Sequence, residues 1–454
     1  MAKQAYFAKR ALISNVWKKD VRFEVENGVI VSVKTDSNAD QAIYLTGPTI
    51  PSMVNLHSHA FQSAMAGLAE VCHNANDSFW SWRDVMYKMV QSLTPDDVRV
   101  IATQLYIDML KAGYTQVAEF NYLHHSQDGS YYATPHEMSL QLKHAADVAG
   151  LGLTLLPVLY SYSGFGAKQA ESGQARFIND VDSYFNMHQA CESELSKSPL
   201  HQIGVCFHSL RAVTEEQIIE VLGAANNEQP IHIHIAEQQK EVRDCIDWSG
   251  QRPVEWLSNR FNINEQWCFI HATHLNQHEL NTIAQNKIVA GLCPTTEANL
   301  GDGIFPATDF VAKNGVWGIG SDSHVSLSVA DELRTLEYSQ RLKDQKRNRL
   351  YDVQNNHVGD FLYQQALQGG NQASGVNIGL DIGCRADFIV LDHEHPYIAA
   401  SKDEDLLNRW LFASNENLIR HVYVAGKQVI TDFKHRDEQQ SGTEYIALLQ
   451  RLFM

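Results

Sequence analysis

The stretch Thr49-Ile50-Pro51-Ser52-Met53-Val54-Asn55-Leu56-His57-Ser58-His59 decides how the rest of the chain is read. A short apolar run ends there in His-x-His. Side chains alternate across a strand, so an extended backbone puts both imidazoles on one side, a spacing that suits two ligands to one ion. Alone, the pair carries little weight in a chain with 21 histidines. Its weight comes from the residues beyond it. Between about Pro51 and Ala373, short apolar runs alternate with longer helical patterns: Val54 to His57, Gln116 to Phe120, Leu153 to Leu159, Ile203 to Phe207, Ile231 to Ile235, Trp267 to Ile270, Ile288 to Leu292 and Val316 to Ile319. Eight buried strands, each separated by room for a helix, predict an α/β fold of the (β/α)8 TIM barrel type, with reactive groups at the C-terminal ends of the strands.

The polar residues bear on that expectation. His57 and His59 follow the first run, Glu119 and Asn121 the second, His208 the fourth, His234 the fifth, His271 the sixth and Asp322 the eighth. Glu237 lies three residues beyond His234, so a candidate ligand and a candidate proton carrier leave the barrel at one strand end. Each has an ordinary alternative: Asp322 as a helix N-cap, His271 as a solvated loop residue. His232, deeper on the face of His234, reads as a hydrogen-bonded core histidine. Jointly the ordinary alternatives fail, because His57, His59, His234, Glu237, His271 and Asp322 fall at four strand ends of one barrel.

Outward from the barrel, residues 1–50 carry short alternating runs, Val21 to Val25 and Val29 to Val33, broken at Asn27-Gly28, a hairpin signal. β character returns after Gly383, with Ala386 to Leu391 and a hairpin around His421 to Ile430 turning at Gly426-Lys427. The expectation is one small β-sandwich built from residues 1–50 and 375–454, the latter with a terminal helix, around a barrel of residues 51–374. A chain of 454 residues is about three times a typical ~150-residue domain and accommodates both.

The formal charge of −17, with no gathered basic face, argues against nucleic acid as a partner. No apolar run approaches the ~18 residues of a membrane span, and Met1 to Trp17 lacks the apolar block of a secretory signal, so cytoplasmic residence is the expectation. The seven cysteines (Cys72, Cys191, Cys206, Cys245, Cys268, Cys293, Cys384) form no Cys-x-x-Cys pair, and several read as small core residues.

The His-x-His first strand, fifth-strand His234, sixth-strand His271 and eighth-strand Asp322 resemble the amidohydrolase superfamily, and Gly383 to Leu391 looks like the strand that returns to its β-sandwich. The fifth-strand pair His234 and Glu237 resembles the deaminase branch, which implies one divalent metal held by His57, His59, His234 and Asp322. No lysine follows the fourth strand, where two-metal members place theirs. Zinc is the expected ion, although such donors also accept iron or manganese. Three protein ligands and an open position bring bound water from a pKa of ~15.7 to near 7. By this analogy Asp322 takes the water proton, His271 stabilises the charged oxygen and Glu237 passes a proton to departing nitrogen.

Arg211, just past the fourth strand, is suited to a bidentate carboxylate contact, or else is a solvated helix-start residue. Gln62, Arg83 and Tyr122 add donors, and Trp80 to Arg83 reads as an aromatic segment over the mouth. His57 to Gln62, Trp80 to Arg83, Glu119 to Tyr122, Phe207 to Val213 and His232 to Gln238 together resemble the formimidoylglutamate deiminases. That resemblance implies hydrolysis of N-formimidoyl-L-glutamate, a small dianionic substrate, to N-formyl-L-glutamate and ammonia in histidine degradation, with Gln62, Arg83, Tyr122, His208 and Arg211 on the substrate. The alternatives are a deaminase of an aromatic base or nucleoside and, from another class, a non-enzymatic barrel scaffold. A homodimer is common among such barrels, although no interface patch stands out.

Overall fold

Eight strands form the barrel: β1 (Met53–Ser58), β2 (Tyr114–Asn121), β3 (Gly152–Leu159), β4 (Val205–Ser209), β5 (Ile231–Ile235), β6 (Trp267–His271), β7 (Val289–Leu292) and β8 (Trp317–Ile319). They come from a computed structural model that describes residues 3–71, 79–226 and 228–454, excluding the side chains of Phe79, Trp80, Ser81 and Asp84. Cys72 and the side chains of Trp80 and Ser81 therefore lie outside the described residues. Neighbouring strands pair in parallel from β1 through to β8. A parallel bridge between Ser58 and Asp322 closes the ring. Most of these strands are buried along their whole length, as expected where helices cover a parallel sheet, which is why they read as continuous apolar runs rather than alternating ones.

The expected strands match except at the fourth. Ile203 belongs to a separate strand, His201–Ile203, paired with β3, and β4 begins at Val205. Gly204 marks the break: a Cβ there would lie 2.6 Å from Leu156 Cδ2 and 2.7 Å from the Pro230 carbonyl oxygen, so the chain changes register at a contact that admits no side chain. Gly320 acts similarly beyond β8, where a Cβ would come within 2.8 Å of the His57 backbone nitrogen, letting the last strand approach the first.

The chain ends build a second, mixed sheet. Gln4–Ile13 pairs with Val16–Glu26, and Asn27 and Gly28, at φ 52° and 82°, turn the latter into Val29–Lys34 as an Asn-Gly hairpin should. Phe388–Leu391 returns from the far end of the sequence to pair with Thr49–Pro51 and with Ile419–Val424. The following turn is at Ala425-Gly426, φ 47° and 75°, one residue earlier than expected, because Lys427 already pairs with Val424. Phe23 and Phe388 sit three strand steps apart in this sheet, roughly 14 Å if it were flat, yet their ring centroids are 5.2 Å apart. The sheet therefore folds over its own aromatic core. A terminal helix, Glu438–Phe453, ties back to the barrel through Lys111–Glu438 at 3.0 Å and Arg451–Asp97. No helix among the described residues is long and apolar enough to cross a membrane.

Candidate metal centre and active site

Barrel closure and donor placement are one event. Where β1 meets the segment after β8, the Asp322 N–H donates to the His57 carbonyl at 3.0 Å and the His59 N–H donates to the Asp322 carbonyl at 3.1 Å. Asp322 takes a left-handed φ of 49°, which the two backbone bonds hold in place. Its Oδ1 then lies 3.5 Å from Nε2 of both His57 and His59, and His57 Nε2 lies 3.1 Å from His234 Nε2 at the end of β5. Four ligand-type side chains from the first, fifth and eighth strands thus face one point.

The donor chemistry fits a cation. His59 Nδ1 is 2.9 Å from the Phe120 carbonyl and His234 Nδ1 is 2.9 Å from the His208 carbonyl. A carbonyl only accepts, so each Nδ1 carries the proton and each Nε2 presents a lone pair to the centre. Burial, reinforced by neighbouring imidazoles, pushes His57 and His234 well below the usual histidine range, and burial also lowers His59. Lone pairs and a carboxylate converging without protons call for a positive ion between them. The His57–Asp322, His59–Asp322 and His57–His234 separations, 3.5, 3.5 and 3.1 Å, are of the size expected for donors about 2.0–2.2 Å from one shared ion.

Residues beneath the centre brace it. Glu119 accepts from Ser58 Oγ and the Ala60 N–H, both at 2.6 Å, and from the Tyr106 hydroxyl at 3.1 Å, holding the turn around His59. Burial lifts this carboxyl to about 7. Across the seam, Asn55 Nδ2 donates to Ser321 Oγ at 2.6 Å, and Ser321 Oγ is 2.8 Å from His324 Nδ1. His232 is the core histidine expected, with Nε2 2.7 Å from the Ala373 carbonyl.

Beside the donors is an acid–base cluster. His271, buried and at φ 67°, places Nε2 3.7 Å from Glu237 and 3.8 Å from Asp322, with Nδ1 3.4 Å from Glu297. Burial opposes a charge on His271, but the carboxylates of Glu237, Glu297 and Asp322 outweigh it and raise the imidazole above its ordinary value. Burial lifts Glu237 to about 7. Glu241 holds the Glu237 backbone, accepting its N–H at 3.2 Å. Two members of the cluster had no sequence signal: Glu297 and Asp302 sit on and just past a short helix, Pro294–Leu300, between β7 and β8, where the first reads as a helix-start acid. An Asp302 oxygen comes within 4.8 Å of the Glu237 and His271 atoms that face it.

One cavity opens onto this cluster. It is lined by His59, His234, Glu237, His271 and Asp322, and by all the residues singled out as substrate contacts: Gln62, Arg83, Tyr122, His208 and Arg211. Gln62 Nε2 donates to the Tyr122 hydroxyl at 2.8 Å while its buried Oε1 has no partner. Arg83, on the Phe79–Val90 helix, lies with its guanidinium 5.3 Å from the Tyr87 ring centre. Arg211 and Arg83 both depress the protonation of His208, which burial already holds well down. The sequence reading missed Tyr87, Tyr160, Met86 and Leu300 in the wall. Met86, Tyr87 and Leu300 sit on helices, where nothing in their spacing marks them, whereas Tyr160 directly follows β3, the strand-end position that marks the polar site residues.

Comparison with known proteins gives the family. The amidohydrolase family model matches residues 49–429, and the model of the formimidoylglutamate deiminase HutF N-terminal domain matches residues 3–42. The chain is 55% identical over 99% of both chains to a formimidoylglutamate deiminase of Pseudomonas aeruginosa. An amidohydrolase from Brucella melitensis superposes with a TM-score of 0.94 at 43% identity, covering 99% of this chain and 100% of that one. An adenosine deaminase from Xanthomonas campestris, solved with bound zinc, superposes with a TM-score of 0.81 over 99% of this chain and 98% of its own, but at 19% identity it speaks to the fold alone.

Proposed function

The chain belongs to the amidohydrolase family, and from that premise we propose that it hydrolyses N-formimidoyl-L-glutamate to N-formyl-L-glutamate and ammonia, a step of histidine degradation. The observation that carries this reading is the presence of two guanidiniums, Arg83 and Arg211, in the same cavity as the His59, His234 and Asp322 donors, with His57 grouped beside His59 and His234. A substrate with two carboxylates uses both; a neutral ring base uses neither.

The donor set of three imidazoles and one carboxylate suits a single zinc ion, which when bound supplies Lewis-acid activation of water. Asp322 would hold the ion and is the base placed to take a proton from the attacking water. His271, held by Glu297 from behind, donates a hydrogen bond to the oxygen that gains charge as water adds to the amidine carbon. Glu237 delivers one proton to the terminal nitrogen; as the C–N bond breaks, that nitrogen takes a second proton from Asp322 and leaves as ammonia, while the added hydroxyl gives its proton to Glu237 and becomes the formyl oxygen. Gln62 Oε1 accepts an amidine N–H, and Arg211 and Arg83 hold the carboxylates away from the reacting carbon.

The test is ammonia release by the metal-loaded protein from N-formimidoyl-L-glutamate, guanine, cytosine and adenosine, before and after chelation. Turnover of the first alone, lost on chelation and restored by zinc, is expected. Preference for a ring base would overturn the substrate, and no turnover of any member would overturn the enzymatic reading.

A further inference from the structure

Arg176 lies in the loop after β3, away from the metal donors, and its side chain is 0% exposed. Among the described residues its guanidinium meets no carboxylate. Nε donates to the His125 carbonyl at 2.9 Å, Nη1 to the Val90 carbonyl, and Nη2 to the Tyr132 hydroxyl at 3.5 Å. The Arg176 carbonyl in turn accepts the N–H groups of His124 and His125, both at 3.0 Å. Burying a cation without a counter-charge is unfavourable, so a position needing only apolar bulk is better served by Met or Leu. The chemistry requires a planar fork able to reach carbonyls on separate segments at once.

Those segments carry the substrate side of the cavity. Val90 ends the helix Phe79–Val90 that bears Arg83, where its carbonyl accepts the Leu93 N–H at 3.2 Å as well as the guanidinium, and where a cation is favoured by the helix dipole. His125 follows Tyr122 on the loop after β2. Next to Arg176, Phe177 is packed against Tyr122, Tyr87 and Tyr160, with centroids 5.1, 5.6 and 6.0 Å away. Gln174 donates to the Tyr160 hydroxyl at 2.7 Å, and Gln91 donates to the Gly173 carbonyl at 3.2 Å.

We propose that Arg176 is a positioning residue for substrate selection: it buckles the Arg83 helix to the loops after β2 and β3, fixing Arg83 relative to Tyr122 and Arg211 so that the cavity favours a substrate carrying carboxylates over a bare amidine. This rests on the amidine-hydrolase reading above, and its structural half is testable without it. In the metal-loaded protein, Arg176→Met is expected to raise backbone hydrogen exchange over residues 79–91 by about 10-fold or more while β5 is unchanged, the scale of losing hydrogen bonds to a charged group. KM for N-formimidoyl-L-glutamate rises roughly 10- to 100-fold, with kcat, bound metal and hydrolysis of a formamidine lacking carboxylates held near the parent. Arg176→Lys, which reaches one carbonyl but not both, falls between and serves as the deciding variant if the Met variant does not fold.

Unchanged exchange over 79–91 in a folded variant overturns the buckle. Raised exchange with an unchanged KM overturns its role in selection, as does an equal loss on both substrates. If the parent does not turn over N-formimidoyl-L-glutamate, it is the functional reading that fails, and the exchange result still decides the anchoring of the helix.

Discussion

His234 and Arg83 open onto the same cavity but are held in different ways. His234 ends a barrel strand whose backbone is paired on both sides, and its ring is fixed by one bond to a neighbouring strand's carbonyl. Arg83 stands on a helix outside the barrel, attached through side chains such as Arg176 and Gln91 that cap or bridge backbone carbonyls. On the proposed roles, the chemical half of the site is thus built into the barrel's hydrogen-bond ladder, while the recognition half is fastened on. A change in the first should abolish reaction on every substrate. A change in the second should fall only on substrates with something for it to hold.

The sharpest contrast begins with Asp322→Asn, which on the proposed mechanism removes both a donor and the water's proton acceptor. Metal content by elemental analysis should fall, and kcat should drop on the order of 10⁴-fold, the upper end for an acid–base group; full metal occupancy with normal turnover would break the assignment. Arg211→Met should cost about 2–5 kcal/mol, roughly 30-fold to several thousandfold in kcat/KM on N-formimidoyl-L-glutamate, and almost nothing on a formamidine without carboxylates. Equal losses on both would move Arg211 from recognition to support of the fold. Glu237→Gln should retain metal and lose roughly 10²-fold in kcat, equally on both substrates, because the group acts at the amidine. Glu297→Gln, which touches His271 rather than substrate, should lose about 10-fold, the low end for a residue that orients another; a loss matching that of Glu237 would promote it to a direct role.

The same division governs what was legible in the sequence. His57, His59, His234 and Asp322 stand at the ends of apolar runs, and strand periodicity points them to one mouth, so local pattern and tertiary placement coincide. The eight runs could be read because a strand covered on both faces leaves a continuous apolar signature. Glu297 and Asp302 lack this advantage, since a short helix between β7 and β8 delivers them and an acid in a helix's first turn reads as capping. Arg176 was invisible because a buried guanidinium satisfied by carbonyls has no partner in side-chain pattern. Arg83, Gln62 and Tyr122 were found through resemblance to a family, while spacing alone left them as loop polar residues. Gly204 shows the limit of run-reading: the apolar pattern passes through it unbroken, yet the close approach of Leu156 and Pro230 divides the run into two strands.

The bridge between Ser58 and Asp322 also bears on how the protein is made. A chain emerging from the ribosome through β7 owns three of the four donors and none of the closure, so the high-affinity site cannot exist until the last barrel strand is released and docks against the first. On the proposed ligand set, an ion held by His57, His59, His234 and Asp322 would act as a clasp on the barrel's final seam, since any species that binds only the closed form stabilises it by about 2.7 kcal/mol at a hundred times its Kd. Metal supply during growth would thereby set the yield of closed barrels as well as their activity, and a metal-starved preparation should show a lower Tm, with exchange raised first at β1 and β8.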